Sequence, residues 1–177
     1  ALLNARDKTQ VRSVEKVFAG ARAGKPNPIT TVSRAVPLDW TDYNGHMNEA
    51  RYLQAFGDAT DRLMEIVGCD ADYIASGGSY FTAETHIRHI DEVHAGAKIT
   101  IKTQVLNGAG KKMHLFHEMY EADRLLATGE HMLIHVSLET RKASVPADHI
   151  AQRLEAIAAI HAQLDAPAGA GAAIGVR

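Results

Sequence analysis

Asn48-Glu49-Ala50-Arg51-Tyr52-Leu53-Gln54-Ala55-Phe56-Gly57-Asp58-Ala59-Thr60-Asp61-Arg62-Leu63-Met64-Glu65-Ile66-Val67-Gly68 reads as one long helix. Tyr52, Phe56, Ala59, Leu63 and Ile66 fall on one stripe at helical spacing, which predicts a deeply buried face. Asn48 is placed to cap the N-terminus and Gly68 to stop the helix. Before it, the β-branched stretch Ile29 to Pro37 predicts a first strand, and Asp39 to Asn48 a polar loop. After it, Gly77-Gly78 breaks the chain and four strand candidates follow: Tyr80 to Ile90, Lys98 to Leu106, Lys112 to Glu121, and Leu125 to Glu139. In the second of these, Ile99, Ile101, Thr103 and Val105 alternate with Lys98, Thr100, Lys102 and Gln104, the period of a half-buried antiparallel strand. Turns at Asn107-Gly108 and Ala122-Asp123 predict hairpins. A strand, a long helix, then four strands is an α+β order in which an antiparallel sheet can cover one central helix.

Three regions follow from this pattern. Residues 1–28 form an N-terminal extension or linker, a frayed helix ending in Gly24-Lys25-Pro26-Asn27-Pro28. Residues 29–145 form the folded domain. Residues 146–177 carry a helix from Pro146 to Leu164, with Ile150, Leu154, Ile157 and Leu164 on one side, and a flexible Ala/Gly tail from Ala166. Ala1 in place of methionine leaves open a processed chain, a trimmed one, or a piece of a longer polypeptide.

The chain has 177 residues, 46% hydrophobic and 23% charged, enough for one core without staples. Cys69 is its single cysteine, which excludes an internal disulfide framework and a cysteine-rich zinc site and points to a reducing, cytoplasmic setting. No apolar run approaches the ~20 residues that span a bilayer, so no membrane association is expected. A net charge of -2 gives no basic surplus for nucleic acid. The ten histidines do not assemble a metal site along the strands. His131 and His135 share a face but lie ~13 Å apart, while His86 and His89, like His114 and His117, fall on opposite faces. Neither metal nor cofactor is expected.

The loop ahead of the helix joins a carboxylate, an amide, a glycine and an imidazole: Asp42-Tyr43-Asn44-Gly45-His46-Met47-Asn48. Thioester hydrolysis needs an activated water or nucleophile near the carbonyl, and donors aimed at the developing oxyanion. Asp42 would be base or nucleophile. Backbone N–H groups around Gly45 and Met47, at the positive end of the helix, would hold the oxyanion. The bland reading of the same residues is a helix-entry loop, with Asn48 capping and Asp42 making a turn.

This run resembles the D-x-x-G-H-x-N-x-x-x-Y signature of hot-dog thioesterases, matched by Asp42, Gly45, His46, Asn48 and Tyr52. In the 4-hydroxybenzoyl-CoA thioesterase branch the aspartate is the catalytic carboxylate, which implies that role for Asp42. The D-x-N-x-H-x-N pattern of plant acyl-carrier-protein thioesterases implies catalytic parts for Asn44 and His46 as well. Two departures are Glu49, where many members carry asparagine, and Trp40, where many carry an acid. The stretches Ser79 to Ile87 and Glu130 to Val136 are similar to the betainyl-CoA thioesterases of carnitine breakdown, some of them fused behind carnitine dehydrogenase. That resemblance implies an acyl-CoA substrate, betainyl-CoA, and a homodimer or homotetramer with sites between subunits. In a fusion, the N-terminal segment would be the linker to a dehydrogenase.

Glu84 and His86 lie two apart on a strand candidate and so share a face, where Glu84 could attract a trimethylammonium group or assist the attacking water. Trp40, Tyr43, Tyr80 and Phe81 could form an aromatic cage for such a cation. Asn48, Tyr52 and His86 complete the expected substrate-binding set. Two other readings are a hot-dog enoyl-CoA hydratase and a non-catalytic acyl-CoA-binding domain. The hydratase pattern D-x-N-P-x-H is not met, since His46 is four residues after Asp42 and no proline follows Asn44.

Overall fold

The computed structural model describes residues 26–175. The expectations for residues 1–25 lie outside the described residues. Strand β1 is Ile29–Ala35 and is followed by a single 3-10 turn, Leu38–Trp40. Helix α1 is Glu49–Val67 and a short helix α2 is Ala71–Ala75. Then come β2 Gly78–His89, β3 Lys98–Asn107, β4 Lys112–Glu121, β5 Arg124–Ser137 and helix α3 Asp148–His161. The strands make one antiparallel sheet in the order β1-β3-β4-β5-β2. This is the α+β hot-dog arrangement, with α1 lying along one face. No helix is long and apolar enough to cross a membrane among the described residues.

Helix α1 starts and stops where its residue types require. The Asn48 side chain accepts the Ala50 N–H, and Gly68 closes the helix at φ 97, a left-handed conformation that favours glycine. All five stripe residues, Tyr52, Phe56, Ala59, Leu63 and Ile66, are buried. At Gly129 the sheet meets the helix so closely that a Cβ would sit 2.7 Å from the Phe56 ring. Helix α3 closes one end of the core with Ile150, Leu154 and Ile157, each fully buried. Helix α2, which no periodicity announced, is a single turn capped by Asp70.

Strand β2 is an edge strand, paired only with β5, and Phe81 to Thr85 along it are exposed. A register shift between Thr82 and Glu84 inserts one residue and reverses which side chains face α1. Beyond this bulge, Thr85 reaches His131, Ile87 packs in the core, and His89 meets the Tyr52 ring, all on the α1 side. Glu84, His86 and Arg88 therefore take the outer face.

The tail is the main departure from the sequence reading. Gln104 donates to the Asp165 carbonyl, the Gly171 N–H bonds the Glu130 carboxylate, and Ile174 is buried. The described part of the Ala/Gly tail thus lies across the outer face instead of running free. Its small residues let the backbone approach the sheet closely: at Gly169 a Cβ would sit 2.8 Å from the Arg88 guanidinium. Gln104, an outward position by alternation, is buried for the same reason.

Candidate active site

The loop from Thr41 to Asn48 is a tight hairpin folded onto the segment after β2. The Asp42 N–H donates to the His46 carbonyl (2.9 Å), and the Gly45 N–H to the Asp42 carbonyl (3.0 Å). Gly45 has φ 78, so any side chain there would be strained although the space is open. The Met47 N–H donates to Val93 (2.8 Å) and the Asn48 N–H to Trp40 (2.8 Å), pinning both sides of the turn. Asp42 Oδ1 accepts the N–H of Asn44 (2.8 Å) and of His46 (3.3 Å). Its Oδ2 makes no hydrogen bond among the described residues. One oxygen holds the loop and the other is not used in holding it.

In this arrangement the expected oxyanion donors already have partners. The N–H groups of Gly45 and Met47 are both spent on backbone carbonyls. The Glu49 N–H, at the first position of α1, makes no hydrogen bond among the described residues and sits at the positive end of the helix. Glu49 and Asp42 border the same hollow of about 490 Å³, with Met47, Tyr52, His89, Ile90, Asp91 and Glu92 around it. His46 Nδ1 lies 3.2 Å from Glu92 Oε2, and its ring meets His94 edge-on at 4.6 Å. His94 Nδ1 is in turn 3.2 Å from the Gly45 carbonyl. Arg124 lies 2.7 Å from Asp91 and also pairs with Glu121. The hydrogen bond from Arg124 holds the Asp91 carboxyl below its ordinary value. The Tyr52 hydroxyl reaches the Asp91 carbonyl at 3.4 Å, and burial, then Asp91 and Glu92, push its phenol up.

The sequence pattern did not single out Glu92 or His94, because a salt bridge across 46 residues leaves no local trace. Ligand-type atoms of His46, Glu92 and His94 lie within 4.8 Å of one another, the one such group among the described residues. Where a divalent cation could fit is therefore this loop and not the histidine-bearing strands.

The other expected residues are dispersed. Asn48 caps α1, and the Asn44 side chain is exposed. Trp40 is only 5% exposed, with the Arg34 guanidinium 4.1 Å and the Arg51 guanidinium 5.8 Å from its ring centre. A ring already covered by two guanidinium groups is not open to a third cation. Tyr43 is 98% exposed, and Phe81, on the outer side of β2, lies 5.8 Å from the Arg141 guanidinium. The four aromatic side chains do not meet as a cage in this chain. The bulge likewise keeps Glu84 and His86 on the face away from Tyr52 and Asp42.

Tyr80 lies instead in a second hollow, of about 510 Å³, between α1 and β2. Leu53, Gly57, Thr60, Asp61, Thr85 and His131 also border it. Leu53, Gly57, Asp61 and Met64 repeat at helical spacing beside the buried stripe, a signal that could have marked this second face of α1. A larger hollow of about 850 Å³, between β1, α1 and α2, holds none of the motif residues.

Residues 36–154 match the Thioesterase-like superfamily. The chain is 67% identical over 147 residues to an L-carnitine dehydrogenase/betainyl-CoA thioesterase of Ruegeria pomeroyi, covering 83% of this chain and 30% of that protein. It thus spans less than a third of that relative's length. It is 39% identical over 151 residues to a betainyl-CoA thioesterase of Pseudomonas aeruginosa, covering 84% of this chain and 95% of that one. A Staphylococcus aureus protein solved in complex with CoA superposes with a TM-score of 0.77 at 21% identity, covering 85% of this chain and 98% of that chain.

Proposed function

The chain belongs to the thioesterase-like superfamily, and on that premise we propose that it hydrolyses an acyl-CoA thioester, betainyl-CoA, to glycine betaine and free coenzyme A. The observation that carries this reading is Asp42, tied to its own loop through Oδ1 and left open at Oδ2, beside the unspent Glu49 N–H. Asp42 either takes the proton of the attacking water or attacks the thioester carbon itself, in which case water then hydrolyses the acyl anhydride formed on Asp42 and releases the free acid. The carbonyl oxygen gains negative charge against the Glu49 N–H and the positive end of α1. Collapse of that intermediate breaks the carbon–sulfur bond, and the departing thiolate takes up a proton. His46, held by Glu92, positions the Asp42 turn from behind. The names of the Ruegeria and Pseudomonas relatives support the choice of acyl group. Coupling to a dehydrogenase, as in the Ruegeria relative's name, is part of the same proposal.

The exposed edge of β2 supports a homodimer. An unpaired, twelve-residue edge presents a row of free backbone groups, and a second copy can satisfy them by antiparallel pairing about a two-fold axis.

Release of free thiol from a panel of acyl-CoA esters, betainyl-CoA among them, tests the reaction. Asp42→Asn keeps the volume and the Oδ1 contacts, and lowers kcat by ~10² or more. A folded Asp42→Asn variant with near-normal hydrolysis would remove the assignment. Addition of water to an enoyl-CoA without thiol release would favour the hydratase chemistry instead.

A further inference from the structure

The hollow between α1 and β2 contains polar groups without partners among the described residues. Tyr80 is 4% exposed and its hydroxyl has no hydrogen-bond partner among them. His131 is 2% exposed; its Nδ1 lies 3.4 Å from Thr85 Oγ1, while Nε2 has no partner among the described residues. Buried polar atoms are rarely left this way unless a ligand or an ordered water completes them. Burial pushes the His131 imidazole down to about 4, so it is neutral at physiological pH. No positive charge among the described residues lines this hollow.

Asp61 stands at its exposed rim. It makes no ion pair among the described residues, whereas Glu65, one turn on, is paired with Arg62 at 3.1 Å. Partial burial, then the charges of Asp58 and Glu65, hold the Asp61 carboxyl above its ordinary value. A cation placed here would relieve that excess of negative charge, and an anion would add to it. The hollow is thus chemically suited to an acyl group that carries positive charge.

The Asp42 of the same chain cannot serve that acyl group. Asp61 lies ~18 Å along α1 from Glu49, at a rise of ~1.5 Å per residue, whereas the nitrogen of a betainyl thioester is two bonds from its carbonyl carbon. Strand β2 resolves the distance. Its Tyr80 end borders the Asp61 hollow and its His89 end borders the Asp42 hollow. Antiparallel pairing about the exposed run Phe81 to Thr85 sets the His89 end of one copy beside the Tyr80 end of the other.

We propose that Asp61, at the rim of the hollow between α1 and β2, selects a quaternary ammonium acyl group, bound there beside the partner's Asp42 in the site between subunits that the family resemblance implies. The Tyr80 hydroxyl and His131 Nε2 form a polar floor for the carbonyl oxygen or an ordered water. This inference rests on the thioesterase reading above.

The test compares kcat/KM for betainyl-CoA with that for its neutral isostere, 3,3-dimethylbutanoyl-CoA. Asp61→Asn is expected to lower the cation-to-neutral ratio by about tenfold or more, and Asp61→Glu to retain most of it. An unchanged ratio in folded Asp61→Asn overturns the selection role, and so does a ratio lost equally in Asp61→Glu. If the wild type hydrolyses neither ester, the thioesterase reading fails. Mixed dimers carrying Asp42→Asn in one chain and Asp61→Asn in the other, purified through two tags, test the shared pocket. One of their two pockets is complete, so about half of the wild-type turnover of betainyl-CoA returns. No recovery above the two parent variants overturns the arrangement across the subunits.

Discussion

The two faces of the sheet bury histidines under opposite electrostatic rules. Toward α1, His117 lies between hydroxyls, 2.9 Å from Thr60 Oγ1 and 2.8 Å from Thr103 Oγ1, with Phe56 stacked on its ring. No carboxylate is among these partners, and burial, then the nearby His131, hold its pKa well below the ordinary value. Toward the tail, His114 is fully buried 2.7 Å from Glu130, whose carboxylate also receives the Gly171 N–H. The α1 face is thus kept neutral, so the carboxylates at its edges dominate what a ligand there would feel. The outer face uses a carboxylate to hold a strap of small residues against the sheet.

The largest effect expected from breaking this contrast is on the outer face. His114→Ala strands Glu130 with only a backbone donor, and unfolding in urea should show a loss of about 3 to 5 kcal/mol. A loss under about 1 kcal/mol would mean that the carboxylate is solvated and the two faces are alike.

On the α1 face the expected signature is pH dependence. The His131 pKa falls to about 4 on folding from an unfolded value of about 6.5. The folded state then binds fewer protons between those values, so this stability is fully present above pH ~6.5 and is lost as pH falls toward ~4. From pH 7 to pH 5 the contribution is about 2 kcal/mol, read as the difference in pH slope between wild type and His131→Gln. Equal slopes would contradict a neutral α1 face.

Two smaller effects separate packing from charge. Gly129→Ala, with its Cβ forced against Phe56, should destabilise by roughly 1 to 2 kcal/mol in a thermal or urea scan. Glu84→Gln, on the outer side of β2, should change the cation-to-neutral ratio of kcat/KM by less than about twofold. A large loss there would return cation recognition to Glu84 and away from the α1 side.

Much of the fold was legible because its signals are local. The α1 stripe, the Asn48 cap, the Gly68 stop and the Ile99 to Val105 alternation each depend on residues within a few positions of one another. The candidate site was legible only as far as Asp42 and its loop. Glu92 and His94 join it through contacts with the far side of β2, and Asp61 enters through a face of α1 beside the more apolar stripe.

From sequence alone the α+β order, the buried helix and the acid-bearing loop at its N-terminus follow, since propensity, capping and periodicity are properties of short segments. Tertiary structure alone decided three other matters. A one-residue bulge in β2 sent Glu84 and His86 to the outer face, because side-chain direction alternates and any inserted residue reverses it. The tail became a strap because Glu130, distant in sequence, offers its carboxylate to the Gly171 N–H. The N–H groups of Gly45 and Met47 became spent while that of Glu49 did not, because which N–H is spent depends on the carbonyl that folding sets opposite it.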